Sequence, residues 1–114
     1  PMPQKRVILE MGTGNDLHGG DYTKAATRAV FDALHHSSLG IARAIDVDIE
    51  SMEVTVTIGV QQPDKVDTDA VKETLPHGQV TVKAVKGGVD IPDEAGGDFA
   101  IIANAAIAVT LDLP

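Results

Sequence analysis

A chain of 114 residues, 43% hydrophobic and 23% charged, has the size and composition of one globular domain, here taken as residues 1–114. With no cysteine, disulfides, thiolate nucleophiles and zinc–thiolate centres are excluded. A formal net charge of −8, with one Tyr, two Phe and no Trp, repels nucleic acid and anionic lipid and offers bases no stacking platform.

The N-terminus, PMPQKRVILEMG, lacks the apolar centre and small-residue cleavage site of a signal peptide. Small trimeric tautomerases use an N-terminal proline as base, but a first strand starting near Arg6 leaves Pro1 overhanging the sheet. RVILEM (Arg6–Met11) is a short apolar run before glycines and predicts a buried strand. MGTGNDLHGGD (Met11–Asp21) then reads as a glycine-rich turn. YTKAATRAVFDALHHS (Tyr22–Ser37) is an amphipathic helix: Ala26, Ala29, Val30, Ala33 and Leu34 share one face, with Lys24, Arg28 and His35 opposite. Asp21 suits its N-cap and Gly40 its stop.

Ile45, Val47 and Ile49 alternate with acidic residues and allow an extra edge strand or hairpin. MEVTVTIGV (Met52–Val60) is a one-sided strand, with Val54, Val56, Ile58 and Val60 inward. Asp67–Leu75 is a short capped helix ended by Pro76. Gln79–Val85 is a strand with Val80, Val82 and Ala84 inward. Asp98–Leu113 is a last strand, apolar on both faces in its middle and too short for a membrane helix of ~20 residues. The order strand, helix, strand, helix, strand, strand predicts an α+β fold. It is a single small sandwich, a mixed four- to five-stranded sheet with two helices on one face, as in chorismate-mutase-like or RidA-like trimers. The open face of the last strand is too apolar for water, so a homo-oligomer is expected, a trimer or a multiple of it, in the cytoplasm.

The turn is the strongest candidate site. Gly12, Gly14, Gly19 and Gly20 permit positive φ and close approach of a ligand to the backbone. Asp16 and His18, two apart, suit a general base with an orienting carboxylate, and His18, Asp16 and Asp21 could instead hold a hard divalent metal. GTGNDL is not a dinucleotide fingerprint, since Leu17 stands where the third glycine belongs, and no lysine makes it a P-loop. No cofactor motif is evident. His35 and His36 fit a helix C-terminus, where they complement the dipole. Lys86 continues the inward parity of its strand and could bind an anion. Asn104 is the lone polar residue between Ala100 and Ala108, and it could bind substrate or bridge subunits.

The segment GTGNDLHG (Gly12–Gly19) matches the G-x-G-x-D-x-H-G signature of a family of conserved hypothetical proteins found in bacteria and, with a long N-terminal extension, in plants. HHSSL, GVQQPDKVD, LPHG and ANAAIAV resemble the same family, so the resemblance spans nearly the whole chain. It implies that Gly12, Gly14, Asp16, His18 and Gly19 form a site and implies no particular chemistry. Two functions from different classes follow. One is acid–base chemistry on a small polar metabolite at a subunit interface, of hydrolase or lyase/isomerase type, with hydrolysis of a small cyclic amide as a fold-level analogy. The other is a non-catalytic metabolite-binding or structural homo-oligomer.

Overall fold

The computed structural model describes residues 4–35, 52–75, 79–92, 96 and 99–112. In chain order these form β1 (Gln4–Asp16), α1 (Tyr22–His35), β2 (Glu53–Val60), a single 3-10 turn (Pro63–Lys65), α2 (Thr68–Lys72), β3 (Gln79–Lys86), β4 (Val89–Pro92) and β5 (Phe99–Asp112). The strands make one mixed five-stranded sheet in the order β1-β5-β2-β3, with β4 also on β5. β2 and β3 run parallel; the other pairs are antiparallel. Gly59 of β2 lies opposite Asn104 and Val89 of β4 opposite Ile102, so β4 continues along β5 where β2 stops.

Alternation decides which face is covered. Val56, Ile58 and Val60 are fully buried, as are Ile101, Ala103 and Val109 of β5. Ala26, Ala29, Val30 and Ala33 of α1 lie in the same core, as helical spacing predicts, with Leu34 half-buried against it; Ala25, outside the predicted stripe, and Val71 of α2 join them. Both helices therefore sit on one side of the sheet. No helix among the described residues is long and apolar enough to cross a membrane.

Two elements differ from expectation. β1 does not end at Met11: it runs on through Gly12, Thr13, Gly14 and Asn15 to Asp16, paired with β5 all the way. The glycines stay in the strand because α1 lies directly above them. A Cβ on Gly12 would sit 2.5 Å from the Ala29 carbonyl oxygen, and one on Gly14 2.5 Å from that of Ala25. β4 has no counterpart in the sequence pattern, being only four residues long and ending in proline. It forms because the chain leaving β3 crosses the end of β2 to reach β5. Gly88 turns there at φ +62°, and a Cβ on Gly59 would be 3.3 Å from the Gly87 Cα. The Gln61 side-chain amide fixes the crossing by donating to the carbonyls of Gly87 (3.1 Å) and Gly88 (3.0 Å). The edge strand expected at Ile45–Ile49 and the stop at Gly40 lie outside the described residues, as do Pro1, His36 and Pro76.

Candidate functional site

The turn proper is Leu17–Asp21, shorter than the Gly12–Asp21 segment expected to form it. Gly19 and Gly20 take it through positive φ, at +92° and +63°. Asp16, the last residue of β1, points to the helix side and is only 3% exposed. Its Oδ2 accepts from the Asp21 N–H at 2.9 Å, while Oδ1 faces Lys24 Nζ at 3.7 Å and Arg28 at 3.9 Å. Asp21 caps α1 as its side chain predicts: its Oδ1 accepts from the Lys24 N–H at 3.0 Å. One buried carboxylate, Asp16, thus closes the turn, and an exposed one, Asp21, starts the helix.

The other candidate residues fall in different surroundings. Gly12 and Gly14 face α1 backbone, and what their missing side chains admit is the helix; Gly12 also borders a hollow beside Asn104. His18 lies in the exposed part of the turn while Asp16 is buried. Asp16, His18 and Asp21 do not assemble as ligands: among the described residues no three His, Asp or Glu side chains are placed to share a metal ion. Lys86 keeps the inward parity, opposite Val60, but as the last residue of β3 it is exposed. His35 is exposed and stacks on Phe31, with ring centroids 5.5 Å apart.

A polar group that sequence reasoning missed lies beside the turn. Tyr22, the first residue of α1, is 2% exposed. Its hydroxyl donates to Asp90 Oδ2 of β4 and accepts from the Gln62 amide at 3.0 Å. Burial, and then the Asp90 carboxylate, raises the Tyr22 pKa above the ordinary tyrosine value. Phe99 lies against Tyr22, centroids 6.2 Å apart, and against Gly20. The signal in the sequence is the single Tyr of an aromatic-poor chain: a buried hydroxyl needs a partner.

Asn104 is on the opposite side. It projects from the middle of β5 onto the bare face of the sheet and is exposed, where the apolar run around it predicts a buried amide. With Met11, Thr13, Thr57 and Ala106 it borders a hollow of about 640 Å³. Around it the same face exposes Leu9 (46%), Met11 (70%), Val89 (51%) and Ile91 (48%).

A mixed sheet with two helices on one face, a capped glycine turn at the start of the first helix and nothing described on the other face defines a small α+β sandwich domain. The chain belongs to the Lin0512_fam family of conserved hypothetical proteins, whose profile matches residues 6–109. It is also similar to a solved structure, an FtsZ-like protein of unknown function from Nostoc punctiforme PCC 73102. The two are 33% identical, with a TM-score of 0.86, over 99% of this chain and 100% of that one. No curated protein matches the chain.

Proposed function

We propose that the protein works as a homo-oligomer in which the bare face of the sheet packs on another copy of the chain. The observation that carries this reading is the make-up of that face. The chain has 17 acidic residues, yet among the described side chains the charges on the bare face are Glu53 at the start of β2 and Lys83 on the edge strand β3. Its centre is threonine, alanine, aliphatic and thioether side chains around the uncharged amide of Asn104. A surface whose described acid is confined to its margin, in a protein of net charge −8, can meet itself with little local repulsion. Strands about 4.8 Å apart, the longest of 14 residues, give a face on the order of 700 Å². A stable interface buries about 800 Å² per partner. Three copies around an axis is the arrangement expected from the element order.

The acid–base reading of Asp16 and His18 has weaker support. The Asp16 carboxylate is already committed to the turn and to the cationic heads of Lys24 and Arg28. Sedimentation velocity at micromolar concentration is the test. The parent should run at a multiple of the single-chain mass, three-fold for the expected closure. Leu9→Asp, which places a charge on the face without touching the core, should run as a folded monomer. A monomeric parent would refute the reading.

A further inference from the structure

We propose that the hollow beside Asn104 binds a small uncharged molecule that carries both a hydrogen-bond donor and an acceptor, of the primary-amide class, and that the second copy closes over it. This rests on the assembly proposed above. The hollow follows from register. Across β1, β5 and β2, Thr13 lies beside Asn104 and Asn104 beside Gly59; one pair along, Met11 lies beside Ala106 and Ala106 beside Thr57. Gly59 and Ala106 present a hydrogen and a methyl where their four neighbours present longer side chains. The floor is therefore low, and its walls are a thioether, two hydroxyls and an amide.

Asn104 is the anomaly that points to a ligand. It stands between Ile102 and Ala106 on the same face, in an inner strand of the sheet, where asparagine is a poor strand former. Its carboxamide offers two donors and an acceptor, and the side chains beside it in register are the Thr13 hydroxyl and a glycine. Once a second copy covers the face, that amide leaves water and needs partners. A hollow of about 640 Å³ is far larger than one water needs and falls among the ~300–1,000 Å³ sites of small molecules. Among the lining residues there is no Lys, Arg or His to hold an anion. The one carboxylate, Asp32, already accepts from the Thr13 N–H at 2.9 Å. A neutral ligand that pairs with the carboxamide and lays its apolar part on Met11 fits this lining.

The experiment is a titration of isotopically labelled protein with propanamide, following the Asn104 side-chain amide and the Thr57 and Gly59 backbone amides by NMR. Propanoate and propylammonium serve as charged counterparts, and sedimentation is run on the same samples. The parent should show saturable shifts with propanamide, at least tenfold weaker with either ion. Asn104→Leu, similar in size, should lose the response at least tenfold while sedimenting as the parent does. An oligomeric parent with no saturable shift, or with the same response in Asn104→Leu, would overturn the site and leave the assembly standing. Saturable binding to a monomeric parent would overturn the closure by a second copy. A monomeric parent without binding would overturn both.

Discussion

Among the described residues Asp16 is the one charged side chain that is buried, and its contacts explain why it is an aspartate. A carboxylate can accept the Asp21 N–H and still face Lys24 and Arg28; an amide keeps at best the first of these. Asp16→Asn should lower the unfolding free energy by about 1–3 kcal/mol, and His18→Asn, in the exposed turn, should change it by less than about 0.5 kcal/mol. Thermal melts of the two variants check this, and an Asp16→Asn protein that melts with the parent would show the turn needs no anion. Tyr22 makes a second prediction, through pH. Its pKa is raised in the folded state, so below about 10 the hydroxyl is protonated whether the chain is folded or not, and stability does not depend on it. Above that range the unfolded chain releases the proton first, and the fold loses stability as pH rises. The chain has one tyrosine and no tryptophan, so its near-ultraviolet absorbance titrates that single group. Tyr22→Phe should abolish this alkaline loss. At neutral pH it should cost about 1–3 kcal/mol, because Asp90 Oδ2 loses its donor while Oδ1 is already buried without a hydrogen-bond partner among the described residues.

At the level of elements, α1 lies close against β1. Alanines at 25, 29 and 33 on the helix meet glycines at 12 and 14 on the strand, backbone nearly against backbone. Alanine usually suits a strand better than glycine by about 0.5–1 kcal/mol. Gly14→Ala should do the reverse here and destabilise by about 3 kcal/mol, the upper end of overpacking, since backbone atoms cannot rotate aside. Denaturant midpoints measure both sign and size. The closeness has another use: Asp32 accepts from the Thr13 N–H, and Arg28 donates to the Asn15 carbonyl at 2.8 Å, so α1 occupies part of the edge that β1 turns away from β5. These interactions also mark what sequence can and cannot reveal. The β2 alternation and the α1 stripe are readable because each is a local period set by one covered face. Gly12 and Gly14 read as a turn because the same residues serve a loop and a strand beneath a helix, and only the helix overhead distinguishes them. Tyr22, Gln62 and Asp90 come from three separate segments, so no spacing links them. Asn104 stands out as the polar break in an apolar strand, but its exposure depends on which described elements cover that face, which no local pattern encodes.

The described residues form a narrow slab, 57 × 23 × 19 Å, helices on one broad side and bare sheet on the other. For association through an apolar face of an acidic protein, salt has a definite sign. Added sodium chloride screens the repulsion between whole molecules of charge −8 and leaves the apolar contact intact. The assembly should tighten between low and high ionic strength, as read by its sedimentation at a fixed concentration; dissociation by salt would point to ion pairs as the glue. Strand order has a consequence of a different kind. β5 is made after every other described strand, yet it lies between β1 and β2, and it joins Gln4 to Asp112. On the ribosome, β1 has no strand partner among the described elements until Phe99–Asp112 has emerged. Its 13 residues wait while the other described elements are made. Closure between strands so far apart in sequence is slow in entropic terms, so the emergence of β5 sets when the described sheet can form.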